Sequence, residues 1–231
     1  MKLSILIPAY NEEKTIEQII NKVQNVNLGK IKKELIVIND ASKDKTKEII
    51  QKLMKKYKNI LLLNHNINQG KGAAIRTGLK NFDGDVLVIQ DGDLEYNPED
   101  FKRLIKPILD NKTKVVYGSR VLGKIRGFQI LHHYIGNLGL SALTSIIYLR
   151  KISDMETGYK MMTKEVIKNI NLKSKRFDFE PEITAKIIKK GYKIIEIPIT
   201  YNSRSFKSGK KITVKDGFIA FYYLLKYRFF D

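Results

Sequence analysis

Four short runs, apolar at almost every position, punctuate the first part of the chain: KLSILIPAY, KELIVIND, NILLLNHN and DVLVIQ. Runs this short, bounded by Pro, Asn or Asp, predict strands covered on both faces. Between them the apolar period lengthens. Ile16, Ile19, Ile20 and Val23 fall at helical spacing behind Asn11, a residue type suited to capping, and Ile49, Ile50, Leu53, Met54 and Tyr57 form a second helical stripe. QGKGAAIRTGLKN predicts a helix led by glycine, and a further helix is expected from about Pro98 to Asp110. After VVYGSR, at 115–120, the pattern changes. EPEITAKIIKKG predicts a helix, KIIEIPITY a strand, NSRSFKSGKK a basic Ser/Gly loop, and DGFIAFYYLLKYRFF a closing helix. Strand alternating with helix predicts an α/β fold with an open, mainly parallel sheet flanked by helices. No repeat or linker divides residues 1–231, which read as a single catalytic domain.

In such sheets ligands bind beyond the carboxyl ends of the strands. Three of those ends carry polar clusters, PAYNEE at 8–13, NDAS at 39–42 and QDGDLE at 90–95, and they are expected to converge on one cleft. On an extended backbone Asp91, Asp93 and Glu95 point the same way, and their like charges call for a cation between them. Mg²⁺ or Mn²⁺, completed by substrate phosphates and water, suits such a set. A solvated Asp-Gly-Asp turn is the plainer alternative, but the two neighbouring polar strand ends favour the metal. The substrate would then be a nucleotide diphosphate, with Asp40 on its base or ribose, Glu12 on a ribose hydroxyl and Tyr10 against the base. Ser42 or Asp44 is left to cap the next helix. NQGKGAA lacks the Ser or Thr of a phosphate loop, so its glycines are expected to serve close backbone packing. Arg204 and Lys210, in the late basic loop, are placed to neutralise a leaving diphosphate.

Charge then narrows the partners. Lys and Arg number 43 against 24 Asp and Glu, a formal net charge of +19, which implies an acidic partner. There is no cysteine, so disulfides and thiolate chemistry are excluded, and the start of the chain lacks a secretory signal; an intracellular protein is expected. Residues 127–149 carry no Lys, Arg, Asp or Glu and are long enough to span a bilayer. Their polarity is nevertheless two-sided. Gln129, His132, His133, Asn137, Ser141 and Thr144 share one helical face, and Leu131, Ile135, Leu138, Ala142, Ile146 and Leu149 form the opposite stripe. Such a helix packs on a core or lies in a membrane interface. Residues 216–230 mix Phe218, Phe221, Tyr222, Tyr223, Tyr227, Phe229 and Phe230 with Lys226 and Arg228, a second candidate interface helix. No RNA-binding motif is present, and no nucleic acid is expected.

Taken in order, ILIPAYNEE, VINDASKDKT, NQGKGAA, QDGDLEYNPED, VYGSR, DMETGYK, FDFEPEI and IPITYNSRSFKSGKK resemble the inverting family 2 glycosyltransferases of GT-A fold, over about residues 3–217. Within that family they are most similar to the polyprenyl- and dolichol-phosphate sugar synthases. The resemblance implies that Pro8, Tyr10, Glu12, Ile38 and Asp40 hold the nucleoside. It implies that Asp91, Gly92 and Asp93 hold metal and donor, that Arg120 meets phosphate, and that Arg204 and Lys210 meet the diphosphate. Glu95 stands where the family often has Gln, and Asn39 where it often has Asp. Some relatives carry transmembrane helices after the catalytic domain, whereas this chain ends at Asp231. A peripheral enzyme on the cytoplasmic face of an anionic membrane is implied, with a small membrane-anchoring subunit as a possible partner.

The expected reaction moves a hexose, mannose or glucose, from a nucleotide sugar to a lipid phosphate. That acceptor, with a second pKa of about 6, needs no protein base. A hydroxyl acceptor such as a diacylglycerol or a glycan would need one, and Asp154 is then the residue to supply it. His132 and His133 are read as interface or surface residues. The alternative outside enzymology is a basic binding protein without catalysis, for which the acidic cluster has no evident use.

Overall fold

A computed structural model describes residues 1–127, 131–176, 178–203 and 214–230. Its first half alternates as the apolar periods predict: β1 (Lys2–Ala9), α1 (Ile16–Asn25), β2 (Lys32–Asn39), α2 (Thr46–Lys56), β3 (Ile60–Asn64), α3 (Lys71–Leu79) and β4 (Val86–Ile89). Then come the short helices α4 (Phe101–Leu104) and α5 (Lys106–Leu109), strand β5 (Val115–Gly127), the long helix α6 (Leu131–Tyr148) and β6 (Lys160–Thr163). Helices α7 (Lys164–Lys168) and α8 (Phe179–Lys189), strand β7 (Ile194–Ser203) and α9 (Val214–Phe229) close the order.

The seven strands form one sheet in the order β3-β2-β1-β4-β6-β5-β7. Only β6 runs against the others. Alternate residues of β1 show why both faces had to be apolar. Leu3, Ile5 and Ile7 pack with α1 and α2 on one side, and Leu6 packs with Ala74, Phe179 and Ile183 of α3 and α8 on the other. A smaller cluster, Tyr148, Met155, Ala185, Leu224 and Tyr227, joins α6, α8 and α9.

Two local expectations are corrected, and one strand went unpredicted. Asn11 does not cap α1, which Thr15 precedes; with φ at 55° it accepts from the Lys43 N–H through its Oδ1 (2.8 Å) and donates its own N–H to Ser42 Oγ (3.0 Å). It thereby clips the loop after β1 to the loop after β2. The helix expected over 98–110 is broken into a 3₁₀ turn, α4 and α5. Pro107 has no N–H to give to the carbonyl one turn back, so the ladder stops there. Finally, β6 lies in KMMT, a run too short and too mixed to announce itself.

Candidate active site

The ends of β1, β2 and β4 converge, as their polar clusters predict. Thr15 Oγ1 donates to Glu12 Oε2 (2.8 Å) and lies 3.0 Å from the Gly92 carbonyl, which joins the β1 loop to the acidic turn. The Glu12 and Glu13 N–H groups donate to Thr46 Oγ1 and Asp44 Oδ2, at 2.9 and 3.1 Å, tying the same loop to the start of α2. Because β6 is antiparallel, the loop that enters it, residues 154–159, stands at this same edge of the sheet. Gly158 there backs onto the acidic turn: a Cβ at this position would fall 2.6 Å from Asp91 Oδ2.

The residues expected to hold a nucleoside divide. Pro8, Tyr10 and Glu12 line the convergent end of β1, whereas Ile38 is fully buried in the core against α3, leaving only its backbone near the edge. Asp40 is occupied by its own chain. It accepts from the N–H groups of Gln69 (2.9 Å) and Gly70 (2.8 Å) and meets His65 Nδ1 at 2.7 Å. Its carboxylate therefore fixes the turn into α3, where Gly70, at φ 93°, packs so tightly that a Cβ would lie 2.6 Å from the Lys175 carbonyl.

That turn delivers a residue which the sequence marked only as a neighbour of structural glycines. Lys71 Nζ sits 2.8 Å from Asp91 Oδ1 and 3.2 Å from Glu180 Oε1. Glu180 in turn pairs through Oε2 with the fully buried Lys160. Burial opposes the charge on Lys71, but Asp91 and Glu180 outweigh it and hold the ammonium protonated far above the usual lysine range. No spacing rule in the sequence joins these residues. The signals were the lone basic residue in NQGKG and Glu180, one of three acids in FDFEPEI.

Arg120 and Asp154, expected as phosphate ligand and base, form one unit. Asp154 Oδ2 accepts from the Arg120 N–H and Nε, each at 2.8 Å, and Oδ1 accepts from Nη2 at 2.7 Å. Asn137 of α6 adds a bond to Oδ1 at 3.0 Å, while Glu196 holds the backbone N–H groups of Ser153 and Asp154. Burial pushes the Asp154 carboxyl up, but Arg120 prevails and holds it below the usual carboxylate range. The guanidinium stacks 5.2 Å from the Tyr201 ring centroid, and Tyr201 OH donates to Glu95 Oε2 at 2.8 Å. Among the described residues Glu156, two residues beyond Asp154, has no hydrogen-bond partner for its buried Oε1; burial, with Glu180 nearby, raises its carboxyl to about 7.

The residues present fit a divalent cation of one kind. Asp91 is partly open, and Asp93 is buried with Oδ1 accepting from the Glu95 N–H at 3.0 Å. No group of three His, Asp or Glu side chains is gathered as a cage among the described residues. Glu95, expected as a third ligand, is instead held by Tyr201. Two carboxylates with substrate oxygens and water suit Mg²⁺ or Mn²⁺, which rarely require more protein ligands. Arg204 and Lys210 lie outside the described residues, as do Gln129 and the side chains of Leu131, His132, His133 and Phe218.

Helix α6 is two-sided as expected, but turned. Its polar face is inward: Ser141 and Thr144 are buried, and Ser141 Oγ accepts from the Met155 N–H at 3.0 Å. Its apolar face is outward, with Ile135, Leu138, Ile146 and the following Leu149 exposed, and α9 adds Ile219, Phe221, Tyr222, Leu225 and Phe229. Among the described residues no helix is long and apolar enough to cross a membrane.

Comparison with known proteins adds ancestry to this geometry. The family described as glycosyl transferase family 2 matches residues 4–170. The chain is 33% identical over 212 residues to dolichyl-phosphate beta-glucosyltransferase ALG5A of Trichomonas vaginalis, covering 87% of this chain and 65% of that protein. It is 30% identical to the UDP-N-acetylglucosamine–dolichyl-phosphate N-acetylglucosaminyltransferase of Methanococcus voltae, covering 96% and 94%. A dolichol-phosphate mannosyltransferase of Pyrococcus furiosus is 32% identical over 89% of this chain, which spans 58% of that relative's length. Among solved structures, glucosyl-3-phosphoglycerate synthase of Mycobacterium tuberculosis, determined with Mn²⁺, UDP and glucosyl-3-phosphoglycerate, superposes over 100% of this chain and 81% of its own, with a TM-score of 0.74 at 17% identity. The same synthase has also been determined with Mg²⁺ and UDP. The sheet and helices described above are thus of GT-A type.

Proposed function

Because the chain belongs to glycosyl transferase family 2, we propose that it transfers a hexose, mannose or glucose, from a nucleotide sugar to a polyprenyl or dolichyl phosphate. The observation that carries this reading is the meeting of two opposite charges at one sheet edge: the Asp91 and Asp93 pair after β4, and Arg120, locked by Asp154, on β5. The carboxylates suit a cation and the diphosphate it accompanies. Arg120 suits a phosphate. Relatives named for glucosyl, mannosyl and N-acetylglucosaminyl transfer to dolichyl phosphate support the acceptor class and set the donors to be tried.

In the proposed step an oxygen of the lipid phosphate attacks the anomeric carbon as the bond from that carbon to the diphosphate oxygen breaks, with inversion. The nucleophile is already ionised, so no base is needed. This agrees with Asp154 being committed to Arg120 and held below the usual carboxylate range, where it is a poor proton acceptor. Arg120 would orient the acceptor phosphate, and Lys71 would hold Asp91 in place. A divalent cation between Asp91 and Asp93 would neutralise charge growing on the leaving diphosphate. Peripheral attachment to the cytoplasmic face of a membrane, alone or through a small anchoring subunit, is supported by the outward apolar faces of α6 and α9 and by the net charge of +19.

The test is incubation with Mn²⁺ or Mg²⁺, a short polyprenyl phosphate and labelled GDP-mannose, UDP-glucose or UDP-N-acetylglucosamine, followed by counting of the organic phase. Label is expected there, and Asp93→Ala should abolish it while the circular dichroism spectrum is retained. Full transfer in excess EDTA would sink the metal role. Binding to lipid or nucleic acid with no turnover of any donor would favour a non-catalytic basic protein.

A further inference from the structure

Strand order sets out the cleft. At the carboxyl edge β2 and β1 bring the proposed nucleoside residues, β4 brings Asp91 and Asp93, and β5 brings Arg120, with β6 between β4 and β5. Two strand spacings, about 10 Å, therefore separate the proposed cation pair from the proposed acceptor phosphate. The loop entering β6 fills that interval, where a sugar ring would lie.

Most of the polar groups in this loop are already used. Asp154 holds Arg120, Thr157 Oγ1 accepts from the Tyr159 N–H, the Gly158 N–H donates to Tyr96 OH, and Tyr159 OH donates to Gln90. Glu156 is the exception. Its Oε1 is buried and has no hydrogen-bond partner among the described residues. The charged groups acting on it are Glu180, Lys160, Arg120 and Asp154. A carboxylate among these neighbours disfavours an anion, while Lys160 and Arg120 disfavour a metal cation. A neutral hydroxyl satisfies the oxygen without adding charge. The proposed lipid-phosphate acceptor offers no hydroxyl, so the donor's sugar must.

We propose that Glu156 is a specificity-determining residue that hydrogen-bonds a hydroxyl of the transferred sugar. The inference rests on the nucleotide-sugar reading above. The test compares wild type, Glu156→Ala and Glu156→Gln by calorimetric titration in Mn²⁺ with UDP, UDP-glucose, UDP-N-acetylglucosamine, GDP and GDP-mannose. For whichever base binds, the alanine variant should keep the wild-type affinity for the nucleoside diphosphate and lose about tenfold for the sugar nucleotide, the loss expected for one buried hydrogen bond. The glutamine variant, whose amide still bonds a hydroxyl, should remain within a few-fold of wild type. Equal losses for diphosphate and sugar nucleotide, or no loss for either, would overturn the assignment while leaving the proposed function standing. If wild type binds none of the five, the proposed function falls and this assignment falls with it.

Discussion

A lysine shared by two carboxylates is worth most to the fold where the three are largely withdrawn from water, and Lys71 sits between the partly open Asp91 and the buried Glu180. Replacing it with methionine keeps its length and removes the charge, leaving Asp91 without its ammonium partner beside a Glu180 that retains only Lys160. Breaking such a pair costs on the order of 3 kcal/mol, so Lys71→Met should unfold at clearly lower urea, while Lys52→Met on the exposed face of α2 should not. Glu156 makes the opposite prediction. Its carboxyl is raised from the ordinary value to about 7, so the folded state holds the proton more tightly than the unfolded chain. Stability contributed by the protonated form is therefore present below about pH 4.5 and lost as pH rises through 7. Glu156→Gln should melt close to wild type at pH 5 and a few degrees above it at pH 8, as measured by calorimetry. Asp91, Asp93, Arg120 and Asp154 were legible one by one in the sequence, whereas Lys71, Glu180 and Glu156 were not singled out there. The pairing of these groups was not legible either, because Lys71 meets Asp91 and Glu180 only once the turn into α3, the turn after β4 and the start of α8 have been folded together.

At the scale of elements, an apolar run announces a strand when burial on both faces forbids polar residues, and β1, β2 and β4 were legible for that reason. β6 was not. Its four residues include Lys160, whose charge is carried into the core by Glu180 rather than by solvent, so its composition does not resemble its environment. Helix α6 shows a different limit. Amphipathic spacing tells that two faces differ, but only the partners decide which face turns inward. Here Asn137, Ser141 and Ser145 found Asp154, Met155 and Ile152, and the apolar stripe was left outside. Ile146 is 71% exposed, so Ile146→Asp should leave the melting temperature unchanged. Sedimentation with vesicles containing anionic lipid should nevertheless fall roughly tenfold or more, the value of one isoleucine withdrawn from an apolar phase.

Over the whole molecule the proposed membrane attachment would draw on both the excess of Lys and Arg and the outward faces of α6 and α9, since each basic residue near an anionic leaflet would add about 1 kcal/mol. Charge was readable from composition alone, whereas the packing of α6 against α9 through Tyr148 and Leu224 was not. Seating of the outward face of α6 on a bilayer, as proposed, would have a kinetic consequence. An enzyme seated on a bilayer meets its lipid by lateral diffusion in two dimensions, so bulk lipid concentration ceases to be the governing variable once the protein is bound. Initial rates with vesicles should then follow the mole fraction of polyprenyl phosphate in the surface: diluting the acceptor with neutral carrier lipid at constant total acceptor should slow turnover, and adding more vesicles of unchanged composition should not hasten it. Ile146→Asp, working from solution, should lose that surface dependence.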